Sequence, residues 1–301
     1  MKTIPVIFVH TGYQPYMEYT IHQAEKTNEV VYLLGDEKNK QVAQQWFGIE
    51  EYQSDRYLRF KKIYKHMSSN PYNFEINCFR RFFVAYEFAK KNNIKKFIML
   101  DTDCFSFANF SVLGFSEYDA ALSMPKDQNN YLWTASPHGS MWSIEALENY
   151  LEFLFYEYSD NISELEEKWE YHKTHNIGGG ICDMTLLYLW ANRTDIYRIL
   201  NTTQGYDKGV FDHFVSLSEG YEKNEYQVLK GINIKKIKFE DNRAYFQKKN
   251  GEWIRTYTIH AQGKSKIFIH TIARKENGVF IYYIDCLKEK FKRGFKKIFK
   301  R

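Results

Sequence analysis

The sequence predicts an α/β protein, and three observations carry that reading. Apolar runs without alternation recur as IPVIFVH (4–10), EVVYLLGD (29–36), IKKFIMLD (94–101) and YDAALSMP (118–125). Strands buried on both faces of a parallel sheet read this way. Helical periodicity lies between them, over 16–26 and over 76–92, where Phe79, Phe82, Phe83 and Tyr86 share one face. Strands alternating with helices through the first 125 residues then imply a sheet with right-handed crossovers.

The remaining elements follow in order. Residues 143–158 and 162–172 read as amphipathic helices, and after Tyr226 short strands and turns take over, with Asn250-Gly251 as a hairpin turn. A chain of 301 residues can bury a sizeable core as one large domain or two small ones. Its 44% hydrophobic and 18% aromatic content excludes a disordered polymer. The 24 Tyr and 24 Phe suit a core, and equally a surface that holds flat rings or sugars. With no repeat or low-complexity linker, the expected division is a domain over 1–265 and a C-terminal extension over 266–301.

The net charge of +5 belongs to the tail. Residues 285–301 hold eight Lys/Arg against two acids, or +6, which leaves −1 for the rest. A near-neutral body gives no reason to expect nucleic acid as a partner. In the tail, Leu287, Phe291, Phe295, Ile298 and Phe299 recur at spacings of three and four, an apolar stripe on a basic helix. Gly294 lowers its helical propensity. Such a helix suits an anionic membrane surface. The four cysteines lack CxxC spacing and read as reduced apolar residues. The N-terminal apolar run is too short for a signal peptide, and no stretch is long enough to span a bilayer. The expected location is cytoplasmic, peripheral to the inner face of the cell membrane.

Ligands of open α/β sheets bind beyond the carboxyl ends of the strands. Three polar strand ends should share that crevice: His10-Thr11-Gly12, Gly35-Asp36 and Asp101-Thr102-Asp103. Tyr13, next to the first of them, would offer a stacking ring. Asp101 and Asp103 lie two residues apart in extended chain, on one side, so a divalent cation could offset their like charges. The stretch IHAQGKSK (259–266) adds His260 as an imidazole ligand suited to Mn²⁺. Gly263, Lys264 and Lys266 suit close approach to phosphate oxygens.

The Asp-x-Asp pair together with His260, Gly263 and Lys266 resembles GT-A-fold bacterial glycosyltransferases, most of all the glycogenin and lipopolysaccharide galactosyltransferase group. The resemblance implies a Rossmann-like mixed sheet flanked by helices. It also implies Mn²⁺ or Mg²⁺ on Asp101, Asp103 and His260, a nucleotide-diphosphate-sugar donor, and a lipid-linked or lipooligosaccharide acceptor in surface polysaccharide synthesis. By the same resemblance Arg81, followed by Phe82, reaches the donor, with Arg80 as its rival. Asn176 and Gly178, Gly179 and Gly180 correspond to the donor-sugar loop. Asp183 either caps a helix, binds a sugar hydroxyl or serves as base; a retaining reaction strictly needs no base, and an inverting one would use Asp183. His138 and Trp142, expected in a loop before a helix, would meet the acceptor. Two other classes remain at this stage: an Asp-x-Asp phosphatase, and an inactive module that binds nucleotide sugar or glycan.

Overall fold

The computed structural model describes residues 3–298 apart from 127, 129 and 130. Every expected strand forms. The elements run β1 (Val6–His10), α1 (Tyr16–Thr27), β2 (Val31–Gly35), β3 (Trp46–Gly48), α2 (Asp55–Ile63), α3 (Tyr72–Lys91) and β4 (Lys96–Leu100). Then come β5 (Cys104–Ser106), α4 (Phe110–Leu113), β6 (Ala120–Ser123), β7 (Ser136–Ser143), α5 (Ile144–Ser159), α6 (Ile162–Thr174) and α7 (Asp183–Arg193). The chain ends with β8 (Ile199–Asn201), β9 (Gly209–Phe211), β10 (Ile237–Glu240), β11 (Arg243–Gln247), β12 (Trp253–His260), α8 (Ile269–Ala273) and α9 (Val279–Ile298).

A seven-stranded sheet has the order β3-β2-β1-β4-β7-β6-β8. Strands β1 to β4 are parallel, and β7 runs antiparallel between β4 and β6. This is the mixed α/β sheet flanked by helices that the sequence led us to expect. Alternation explains its two buried faces. Ile7, Leu34, Phe97 and Met99 face α2, α3, α5 and α7, whereas Val6, Phe8, Leu33 and Ile98 face α1. The α3 stripe predicted from spacing is buried as expected, with Phe79 and Phe82 fully covered.

One local expectation is corrected. Residues 136–143 are not a loop but β7, buried along its whole length and paired with β4 and β6. Ser143 then caps α5, its hydroxyl accepting the amide of Ala146 at 3.2 Å.

A second, five-stranded sheet runs β10-β11-β12-β5, with β9 beside β12. Its core includes Phe268, Ile269, Ile272 and Tyr282. The division expected at 265/266 therefore falls inside a 3₁₀ turn, Gly263–Phe268, whose flanks pack in one core. Helix α9 docks through buried Tyr282 and through an Asp285 carboxylate that accepts the Thr271 hydroxyl. On its other side Phe280, Ile284 and Leu287 are 82%, 40% and 53% exposed. The side chains of Phe291, Phe295 and Ile298, and Phe299 itself, lie outside the described residues. Among the described residues no helix is long and apolar enough to cross a membrane.

The two sheets meet at one turn. The chain leaves the first at Leu100, turns through Asp101-Thr102-Asp103 with the Cys104 amide on the Asp101 carbonyl at 2.9 Å, and enters the second as β5. There β5 lies antiparallel to the end of β12, with Cys104 opposite His260. That pairing brings together residues far apart in sequence.

Candidate metal and diphosphate site

Asp101, Asp103 and His260 converge at the carboxyl end of β4. One ligand atom from each lies within 4.8 Å of the others. His260 Nε2 is 3.5 Å from Asp103 Oδ1. Its Nδ1 is 2.9 Å from the His213 carbonyl, so Nδ1 carries the proton in the neutral ring and donates it there. The Nε2 lone pair is then left facing the carboxylates. Two carboxylates plus an imidazole fixed from behind by a carbonyl form a donor set suited to Mn²⁺ or Mg²⁺.

The electrostatics divide the pair. Burial raises the pKa of Asp101, Arg81 opposes this, and the neighbouring Asp103 charge adds to the rise. Burial also pushes Asp103 up, but hydrogen bonds and charge from His260 and Lys266 outweigh it and hold that carboxyl low. Burial lowers His260, and the carboxylates of Asp103 and Asp101 more than reverse it. Lys266 Nζ is 3.0 Å from Asp103 Oδ2 and 3.3 Å from the Tyr16 hydroxyl, with its charge 4.8 Å above the Tyr16 ring. Gly263, with φ of +58°, starts the turn that carries Lys266.

Arg81 completes the cluster. Its guanidinium bridges Asp101 Oδ1, at 2.5 Å, and Asp183 Oδ2. Arg81 is thus the arginine at the site. Arg80 points away and pairs with Glu50 and Gln53. Asp183 opens α7 and is 3% exposed; its other oxygen accepts the Met184 amide at 2.9 Å. With both oxygens engaged, Asp183 holds Arg81, and a substrate hydroxyl could use it only by displacing one of those donors.

The other expected residues sort by position. His10 ends β1 and its Nδ1 meets the Thr102 hydroxyl at 3.0 Å; burial lowers its pKa. Thr102 is 5% exposed and its carbonyl accepts the Thr20 hydroxyl, so it ties α1 to the turn. Thr11 is exposed. Gly12, with φ of +84°, donates its amide to Asp36 at 2.7 Å, and Asn39 donates to the carbonyls of His10 and Gly12. That loop is preformed. Tyr13 stands 42% exposed with its hydroxyl on Glu18. Lys264 lies on the far side of its turn, in a groove with Leu217, Ile232 and Phe268.

Within the glycine run, the roles differ from expectation. A Cβ on Gly180 would sit 2.3 Å from the Met67 carbonyl, so this glycine serves close packing of the chain on itself. A Cβ on Gly178 or Gly179 would meet nothing within 4 Å, and Gly179 is tied to Ser69, donating its amide to the hydroxyl and accepting the Ser69 amide, each at 2.9 Å; Asn176 is exposed at φ of +53°.

His138 and Trp142 cannot meet an acceptor. Trp142 is wholly buried against Phe82, Tyr150 and Trp190, its indole N–H on Ser140. His138 is 1% exposed and stacks on the His260 ring. Both followed from placing β7 in a loop.

Sequence reasoning missed Tyr16, Asp212, His213 and Lys235. The signal was present in FDHF (211–214), an acid–imidazole doublet between phenylalanines.

No family model and no curated protein matches the chain. Among solved structures it is similar to the apo form of mouse xyloside xylosyltransferase 1, at 11% identity and a TM-score of 0.48 over 66% of this chain and 86% of that one. It is also similar to a glycosyltransferase involved in glycosylation of the major capsid of PBCV-1, at 10% identity and a TM-score of 0.42 over 91% and 99%.

Proposed function

We propose that the protein is a metal-dependent glycosyltransferase that moves a hexose from a nucleotide-diphosphate sugar to an acceptor hydroxyl. The observation that carries this reading is the grouping of Asp101, Asp103 and His260 with Lys266 at the carboxyl end of β4. Bond cleavage builds negative charge on a departing diphosphate, and this cluster is built to receive it. A divalent ion, Mn²⁺ or Mg²⁺, held by the three ligands supplies Lewis acidity to that leaving group. Lys266 supplies a second positive charge, kept near Asp103 and Tyr16 until phosphate oxygens compete for it. Arg81 supplies a third, fixed between Asp101 and Asp183. The loop from His10 to Tyr13 lies at the end of β1, beside β4, where a nucleotide would rest. Asp183 is engaged by Arg81, which favours the retaining alternative, since an inverting one needs a free base. The phosphatase alternative fits less well, because the aspartate pair closes β4, well into the chain, with Phe105 two residues past the second aspartate.

The test is a thermal-shift panel of nucleoside diphosphates and nucleotide sugars with and without Mn²⁺, followed by product analysis. Ligands selective for the native state raise its melting temperature. A panel without any metal-dependent shift, or turnover unchanged in EDTA, overturns the reading. Lys266→Ala is expected to weaken nucleoside-diphosphate binding about tenfold or more, since hydrogen bonds to charged groups contribute about 1.5–3 kcal/mol. The free nucleoside should bind unchanged by calorimetry; equal losses would place Lys266 away from the phosphates.

The acceptor we propose is a lipid-linked or lipooligosaccharide glycan, met at an anionic membrane surface in the synthesis of a surface polysaccharide. Supporting it, the exposed Phe280, Ile284 and Leu287 share one side of α9 and continue at helical spacing into the basic tail. Ile284→Ser/Leu287→Ser in the full chain is expected to reduce co-sedimentation with anionic vesicles several-fold without changing turnover on a soluble acceptor. Equal sedimentation of both proteins, or binding to neutral vesicles alone, sinks the membrane role.

A further inference from the structure

Behind His260 lies an ion pair that the proposed chemistry does not touch. Asp212 and Lys235 are each 1% exposed, with Lys235 Nζ 2.6 Å from Asp212 Oδ1. Lys235 also sits over the rings of Tyr226 and Phe246, at 4.7 and 5.1 Å. A buried ion pair seldom adds net stability over apolar side chains of the same shape, so its presence asks for another reason.

The contacts of Asp212 supply one. Its Oδ2 accepts the His260 amide at 2.9 Å, and its Oδ1 accepts the Phe214 amide at 3.1 Å besides Lys235. Its carbonyl accepts His138 Nε2–H at 2.7 Å, while His138 Nδ1 takes the Ser136 hydroxyl at 2.7 Å. His138, so oriented, stacks on His260 with ring centroids 4.0 Å apart and planes 9° apart. The next residue, His213, gives the carbonyl that takes His260 Nδ1–H. One short segment therefore grips His260 at its backbone, its ring face and its rear nitrogen.

We infer that the buried Asp212–Lys235 pair is a positioning device that fixes the tautomer of His260, leaving the Nε2 lone pair facing Asp101 and Asp103. The inference rests on the metal reading for its purpose, though not for its geometry. Three donors converge on the Asp212 carboxylate, which only an ionised carboxylate can satisfy, and Lys235 neutralises the charge that this requires. Asparagine offers one acceptor oxygen and turns an N–H₂ group toward the remaining donors. The segment then loosens and the His213 carbonyl drifts from Nδ1. Outer-shell partners of this kind typically change metal affinity 10–100-fold.

The experiment uses the full-length chain, as wild type, Asp212→Asn, and Asp212→Asn/Lys235→Met, which removes both charges together. Histidine ¹⁵N shifts recorded at pH 9 without metal report the tautomer, and paramagnetic resonance of free Mn²⁺ reports affinity. Expected is a pure Nδ1–H tautomer at His260 in wild type, a mixture in both variants, and a Mn²⁺ dissociation constant raised about 10-fold or more. A variant that melts cooperatively yet keeps the pure tautomer and the wild-type dissociation constant overturns the inference. So does an Nε2–H tautomer in wild type, a result that needs no variant to fold. A wild type with the expected tautomer and no Mn²⁺ binding would overturn the metal reading instead.

Discussion

Asp103→Asn is expected to abolish Mn²⁺-dependent donor binding and to lower turnover by at least about 100-fold, beyond what outer-shell changes cost, while leaving the fold intact. The carboxylate meets both His260 and Lys266, so its loss removes a metal ligand together with the anchor that positions Lys266 beside it. Calorimetric titration of Mn²⁺ and of donor in the presence of Mn²⁺ measures the two losses separately. Full turnover in this variant would end the metal claim. Asp101→Asn should also lose metal binding. Burial raises the folded-state pKa of Asp101 above its ordinary 3.8. Its contribution to stability is then fully present below the unfolded pKa and is lost as pH rises through the folded one. Metal offsets that loss. The gain in melting temperature on adding Mn²⁺ should consequently grow as pH rises from about 4 toward 7. A metal shift independent of pH would show that the carboxylates are not the ligands.

What the sequence made legible was set by local chemistry. Continuous apolar runs identified β1, β2, β4 and β6, and two aspartates closing one such run located the turn between the sheets. Motif spacing added His260 and Lys266, although strand pairing alone explains how they reach Asp103 across more than 150 residues. The failures came where side chains serve tertiary partners. SPHGSMWS holds three serines, a proline and a glycine, which reads as loop, yet both faces of β7 are covered by protein. Trp142 thereby became core, and His138 became the backing of a ligand. Gly180 looked like room for a substrate and is room for the Met67 carbonyl. The pairing of Asp212 with Lys235 has no local pattern in the sequence, because Lys235 reaches it through a non-local contact, its amide on the Val215 carbonyl at 2.7 Å.

Arg81→Met should be the most destabilising single change at the site. The arginine side chain is 16% exposed and holds two carboxylates, one of them, on Asp183, only 4% exposed. Removing one partner of a buried pair leaves an uncompensated charge, which costs about 3–5 kcal/mol. Asp101 sharpens this, since Arg81 is what opposes the rise that burial imposes on its pKa. Asp183→Asn in the same chain removes the deeper of the stranded charges, and the double variant is expected to recover about half of the lost stability. Such recovery measures coupling between contacting residues, which independent sites do not show. Arg81→Lys should fall between, because an ammonium is a point charge and cannot span both carboxylates as the planar fork does. Turnover should separate from stability along this series. Arg81→Met/Asp183→Asn, refolded and melting cooperatively, is expected to bind Mn²⁺ yet turn over donor at least about 100-fold more slowly, the scale of losing one donor aimed at developing charge. If the double variant regains turnover along with its melting temperature, Arg81 merely neutralises two acids, and the positive charge for the diphosphate comes from Lys266 and the metal alone.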